Sequence, residues 1–210
     1  MAKITVDYIN HMGDDNTVVD AARVSFDKHS GCYTKEQNTR LIKYLARHKH
    51  ISPFGHCFAS FKIKAPIFVA RQLVKMKFLR WNEISRRYVD EEPEFYVPET
   101  WRGRSEDKKQ GSEGVVEDII TDSYRFDLAE YKMLLEKGVA PEQARMVLPQ
   151  STLTEWYWSG SLDAFAAMCK LRCASDTQYE SRVVANQISE VMDSLYPVSW
   201  GALMKGKDDE

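Results

Sequence analysis

The 210-residue chain is short of the features that mark several special classes. No apolar run approaches the ~18 residues of a membrane-spanning helix, so no transmembrane anchor of that kind is expected. The opening segment MAKITVDYIN has no apolar stretch of the sort a secretory signal carries, and the protein is expected to stay in the cytoplasm. An excess of one charge is also missing. The 29 Lys and Arg against 31 Asp and Glu leave a net charge of -2, too little to draw the whole molecule to nucleic acid or to a membrane surface. Four cysteines, Cys32, Cys57, Cys169 and Cys173, form no CxxC pair. Cys169 and Cys173 lie one helical turn apart and read as small apolar helix positions in a reducing compartment. His48, His50 and His56 are spaced by two and six across a Pro-Gly turn, a pattern that matches no common zinc site, so no metal is expected. Repeats, linkers and low-complexity blocks are absent, which leaves one domain over 1–210.

The patterning that is present predicts mixed structure. Ile4 to Tyr8 alternates as a strand, and Thr17 to Phe26 reads as a short helix. Thr34 and Gln37 make a capping box for a basic helix over Lys35 to Lys49. Cys57, Ala59, Phe61 and Ile63 share one face of a strand whose other face carries Phe58, Ser60 and Lys62. Pro66 suits the start of a helix over Phe68 to Lys77, and Asn82 to Val89 looks extended. Gly103 to Gly114 is polar, without periodicity, and reads as a mobile loop. From Val116 onward Ile120, Tyr124, Leu128, Tyr131 and Leu135 fall at helical spacing, closed by Gly138. A short helix opens at Pro141 and stops by Pro149, and Leu153 to Trp158 is a strand. Ser161 caps a helix ending at Arg172. Ser175 with Gln178 caps a long last helix whose inner face is Tyr179, Val183, Ile188, Val191 and Leu195. That helix ends before Pro197, and Lys205 to Glu210 is a charged, frayed tail. Helices mixed irregularly with few strands predict an α+β domain, with a central, mostly antiparallel sheet flanked by helices.

Chemistry concentrates in Arg71 to Tyr88, RQLVKMKFLRWNEISRRY, which holds six cations and one carboxylate, Glu83. Guanidinium forks and ammonium groups suit phosphate oxygens. Interleaved Leu73, Val74, Phe78, Leu79 and Trp81 require part of the segment to be buried, while Asn82 and Ser85 add uncharged donors. On residue chemistry alone an anion site and a solvated basic face both remain open.

The same segment resembles the flavin-dependent thymidylate synthases. That family carries an Arg-His-Arg triplet, seven residues, then Ser, with Asn-Glu before it and Arg-Tyr after it. Here Lys75, Met76 and Lys77 occupy the triplet, and Asn82, Glu83, Ser85, Arg87 and Tyr88 follow at the same spacing. AARVSF (21–26), SPFGH (52–56), KAPIFVARQ (64–72), EFYVP (94–98), ARMVLP (144–149) and Leu171-Arg172 extend the likeness from about residue 20 to 200. The resemblance implies a homotetramer whose sites, built from several chains, hold FAD with dUMP stacked on it. Methylene-tetrahydrofolate would donate the carbon and NADPH the electrons. Gln72, Lys75, Glu83, Ser85, Arg86, Arg87, Arg145 and Arg172 would hold dUMP, Arg145 from a neighbouring chain. Arg172 would be the catalytic group that polarises the uracil. His50, Ser52, Lys75, Met76, Lys77, Glu83, Ser161 and Asp163 fall at flavin contacts. No cysteine nucleophile is required, and Ser85 has no evident base, so it reads as an anchor.

The chain departs from the family pattern at the triplet, where Met76 stands for His and lysines for both arginines. It departs again where Ser161, Asp163 and Ala167 replace Asn, Arg and Asn, and where Asp176 replaces His. An aspartate at position 163 repels a diphosphate. Two rival expectations follow: the same scaffold hydroxymethylating a pyrimidine nucleotide or accepting dCMP, and a non-catalytic nucleotide-binding homologue without FAD.

Overall fold

The computed structural model describes residues 3–88, 91–106, 111–119 and 121–205. Four strands form one antiparallel sheet in the order β1-β2-β6-β3: β1 (Thr5–Met12), β2 (Phe58–Pro66), β6 (Leu153–Ser161) and β3 (Arg80–Glu83). The α+β expectation holds. The alternation read in β2 is the organising feature, since Ala59, Phe61, Ile63 and Ala65 all have 0% exposure. They share the inner face with Trp156 and Trp158 of β6. The opposite face is polar: Ser159 Oγ donates to Ser60 Oγ at 2.9 Å, and Lys62 Nζ meets Glu155 Oε2 at 2.5 Å.

Helices α1 (Asp15–Arg23) and α2 (Lys35–Arg47) precede β2, and α3 (Ile67–Leu73) follows it. The capping box at Thr34 and Gln37 is present, and a second joins Asp14 to Thr17. Residues 124–136 form α4 (Tyr124–Glu136), terminated as expected by Gly138 at φ +80°. The short α5 (Pro141–Ala144) runs into a 3-10 turn at Arg145–Val147. Then α6 (Leu162–Arg172), α7 (Tyr179–Leu195) and α8 (Pro197–Met204) complete the layer over the inner sheet face. Phe165 of α6 meets Phe61 and Trp158 edge to face, with centroids 5.2 and 5.8 Å apart. Cys57 is buried beside Asp14 and Asp15, and burial with their charges pushes its thiol up to about 12. Cys169 is buried too, its Sγ 3.5 Å from Ala185 O.

Several boundaries differ from the sequence expectation. The helix after Pro66 ends at Leu73 rather than Lys77, because Met76 N already turns back to Leu73 O at 3.0 Å and Phe78 adopts φ +67°. Only Arg80–Glu83 and the adjoining Ile84 extend along β6. Residues 86–88 are a turn, and Val89 lies outside the described residues. The polar stretch read as a loop forms a hairpin, β4 (Trp101–Arg104) with β5 (Ser112–Val116), although 107–110 fall outside the description. Val116 belongs to that hairpin, not to a helix; Ile120 is not described. Ser161 holds the N-cap position of α6 without a side-chain bond, and Leu162 N instead donates to Cys57 O at 2.9 Å. Ser175 does not cap α7. The N-cap position belongs to Gln178, and Tyr179 is exposed while Glu180, Ser181, Val184, Ala185, Ile188 and Met192 face inward. Of the tail expected to fray, Lys205 alone is described.

Candidate active site

The edge strand β3 carries the first part of the site. Trp81 stacks on Trp156 of β6, with centroids 4.3 Å apart and planes 19° apart, which fixes the strand against the core. The approach is close because Gly160 lies under Leu79; a Cβ at that position would fall 2.3 Å from Leu79 Cδ2. Glu83 then projects at the sheet edge, accepting from Thr154 Oγ1 at 2.7 Å and from Trp81 Nε1 at 3.2 Å. These two donors orient an exposed carboxylate that has lone pairs to spare.

Beyond Glu83 the chain turns. Ser85 Oγ accepts from Arg87 N at 3.3 Å, and no carboxylate or imidazole bonds to it among the described residues. This leaves its hydroxyl proton available to an anion. Arg86 Nη1 donates to Glu91 O at 2.6 Å. Arg87 Nε lies 3.7 Å from Glu142 Oε2, and Arg145 Nε donates to Glu142 O at 3.3 Å. Glu142 thus links Arg87 and Arg145 within one chain. Lys75 and Lys77 are exposed on the loop after α3 and make no ion pair among the described residues. Met76 between them is turned partly into the core.

The second part is the corner between α6 and α7. Gln72 of α3 is held there: its Nε2 donates to Gln178 Oε1, and its Oε1 accepts from Ser181 Oγ at 3.1 Å. Arg172 closes α6, where the helix dipole favours a cation. Its Nε is buried without a hydrogen-bond partner among the described residues. The corner is tied by Thr177 Oγ1 donating to Leu171 O at 2.8 Å. Sequence reasoning gives Gln178, Glu180, Arg102 and Tyr96 no role in the site. The one available signal was Glu180, a carboxylate on what the helical spacing makes the inner face of α7. A cavity of about 410 Å³ beside them is lined by Phe68, Tyr96, Trp101, Arg102, Gln178 and Glu180.

The third part lies at the other end of α6. Asp163 is nine residues from Arg172, about 14 Å at the helical rise of ~1.5 Å per residue. Its Oδ1 is buried without a partner among the described residues and faces Gly55 in the 3-10 turn Ser52–His56, 3.9 Å from where a Cβ would sit. Ser52 and Ser161 flank this contact in sequence. His50 is exposed beside Tyr44, ring centroids 6.0 Å apart, and lines a cavity of about 520 Å³ with Arg23, Phe26, Tyr33 and Tyr44. No group of three or more His, Cys, Asp or Glu among the described residues is placed to hold a metal.

The expected residues therefore fall into an edge-and-corner group (Gln72, Glu83, Ser85, Arg87, Arg145, Arg172) and a group at the start of α6 (Ser52, Ser161, Asp163), with His50 nearby. Ala167 is exposed on α6 between the two ends. Such a spread suits an elongated ligand. A flavin dinucleotide fits this donor set in one way. The ammonium groups of Lys75 and Lys77 suit its diphosphate, and the orphaned Asp163 oxygen suits a hydroxyl donor rather than a phosphate. Met76 offers no donor.

Fold and site together define an α+β protein with a cationic sheet edge. Residues 7–198 match the family described as thymidylate synthase complementing protein. A flavin-dependent thymidylate synthase of Thermus thermophilus is 42% identical over 199 residues, covering 92% of this chain and 73% of that one. One from Kosmotoga olearia is 40% identical over 201 residues, covering 92% and 86%. Among solved structures, the UMP/dUMP methylase PolB of Streptomyces cacaoi, bound with 5-Br dUMP, superposes with a TM-score of 0.86 at 32% identity, covering 96% of this chain and 94% of PolB. The chain belongs to the flavin-dependent thymidylate synthase family. No helix among the described residues is long and apolar enough to cross a membrane.

Proposed function

We propose that this protein reductively methylates dUMP to dTMP, using FAD with methylene-tetrahydrofolate and NADPH, and that it works as a homotetramer. The observation that carries this is the buried Nε of Arg172, without a partner among the described residues, at the end of α6, which leads into the corner that holds Gln72. A cation there stabilises the negative charge that grows on a uracil carbonyl as the ring attacks a one-carbon unit. Ser85, Arg86, Arg87 and Arg145, with Lys75, anchor the nucleotide phosphate. Glu83, pre-oriented by Trp81 and Thr154, accepts from ligand N–H or O–H groups. Asp163 and Ser161 meet flavin hydroxyls, while Lys75 and Lys77 neutralise the diphosphate; Ser52 and His50 complete the wall. Bound flavin supplies the electron transfer, and the chain positions and polarises the pyrimidine beside it.

The test is the absorption spectrum of the purified protein, followed by mass analysis of products from dUMP and, in parallel, UMP. A flavin spectrum and dTMP are expected. No flavin bound in excess FAD and dUMP, together with no nucleotide product, would overturn the assignment. A hydroxymethylated product would move it to that alternative. Light scattering checks the assembly, for which a tetramer is expected and a monomer at micromolar concentration contradicts it.

A further inference from the structure

Glu180 has no role in the scheme above, yet it is the hub of a polar network behind Gln72. It is 4% exposed, and both of its carboxylate oxygens accept hydrogen bonds. Arg102 Nη2, from β4, donates to Oε1 in an ion pair, and the Tyr96 hydroxyl donates to the same oxygen at 3.4 Å. Gln178 Nε2 donates to Oε2 at 3.5 Å. Arg102 is itself fixed by Ser112 Oγ, 3.0 Å from its Nε, and by the Tyr179 ring, 4.2 Å below the guanidinium. Burial and the Glu180 charge push the Tyr96 phenol up to about 12, so it stays a donor throughout the neutral range.

The order of donors and acceptors then has one consistent solution. A carboxylate accepts and cannot donate. Glu180 therefore draws the NH2 end of Gln178, which turns the Gln178 carbonyl toward Gln72. That carbonyl draws the NH2 end of Gln72, leaving the Gln72 carbonyl to accept from Ser181 Oγ. Reversing either amide would set two acceptors or two donors face to face in a part-buried site, which is costly.

We propose that Glu180 is a positioning residue for nucleotide binding: through Gln178 it sets which end of the Gln72 carboxamide faces the ligand. This rests on Gln72 contacting dUMP. Glu180→Gln gives position 180 a donor as well as an acceptor and frees both amides to reverse. Ser181→Ala removes the hydrogen bond that holds the Gln72 carbonyl and loosens the carboxamide without touching any charge, and serves if Glu180→Gln does not fold. Each is expected to weaken dUMP binding, read as Kd and KM, by about tenfold, the scale of one hydrogen bond. Turnover at saturation and FAD affinity should stay within twofold. In a Gln72→Ala background neither substitution should weaken dUMP binding further. A cost that persists in that background, or one that falls on turnover and FAD as much as on dUMP, overturns the proposal while leaving the synthase assignment standing. Failure of the wild type to bind dUMP or form dTMP removes both.

Discussion

On the inner sheet face, Phe61, Trp158 and Phe165 meet edge to face with almost no exposure. Between Lys75 and Tyr88 the situation is reversed. Phe78 is 81% exposed and Tyr88 78%, Lys75 and Lys77 lack ion pairs among the described residues, and the turn is held by a few bonds such as Arg87 N to Ser85 Oγ. One region is closed to solvent. The other carries its charge outward and is anchored through Trp81 and Glu83 at its edge. Stability and chemistry are thus separated in space, and substitutions in the two regions should fail in different assays.

The largest effect is expected in the core. Phe165→Ala removes a ring packed between Phe61 and Trp158 and leaves a cavity, costing about 3–5 kcal/mol. Urea denaturation of the ligand-free protein measures it; a loss below about 1 kcal/mol would mean that α6 is not seated as described.

Arg172→Ala is next and tests the other region. The charge that Arg172 is proposed to stabilise grows in the transition state, so the loss should fall on turnover, by roughly a hundredfold or more. Lysine should rescue part of it, since it keeps the charge without the fork. Denaturation midpoints should barely move, because Arg172 Nε has no hydrogen-bond partner among the described residues to lose. Near-normal turnover in a folded Arg172→Ala protein would strike it from the catalytic group.

Gly160→Ala sits where the two regions touch. Its Cβ would meet the end of the Leu79 side chain at 2.3 Å, so that side chain must repack, and the shift is expected to reach the adjoining strand β3. A cost of about 1–3 kcal/mol is expected from overpacking, accompanied by weaker dUMP binding as Glu83 shifts. Stability loss with unchanged nucleotide affinity would show that the edge strand adapts independently of the site.

The same division explains what could be read from sequence. The β2 alternation, the Thr34 capping box and the Gly138 stop are local signals, and the structure contains them. Features held by distant partners were not legible. Helix α8 was missed because its first N–H groups are capped by Asp15, which accepts from Val198 N at 3.0 Å and Ser199 N at 2.8 Å. The β4–β5 hairpin reads as a loop in sequence because its residues are mostly exposed and do not alternate; Arg102 ties it down through Glu180, in a helix 78 residues later in the chain. In the candidate site, spacing singles out the Glu83–Arg87 segment, whereas the local pattern at Gln178 suggests only a helix cap and its side chain bonds Gln72 and Glu180.

The smallest expected effect is the most discriminating for the boundary between the regions. Met76 stands where the family carries His, and its side chain packs partly against the core while Lys75 and Lys77 on either side face outward. Met76→His therefore pulls two ways. It gives up apolar burial, at about 1 kcal/mol of stability, and it supplies a ring N–H that methionine cannot. If the triplet is the flavin contact proposed here, that donor should tighten FAD severalfold, the worth of about 1 kcal/mol, even as the ligand-free protein becomes slightly easier to unfold. The two changes have opposite signs and are read separately, by fluorescence titration of FAD and by urea denaturation. A loss of stability with no gain in FAD affinity would place position 76 with the core and take the triplet out of the flavin site. A gain without loss would show that the Met76 side chain contributes little where it packs, and that the loop after α3 is free to adapt to its ligand.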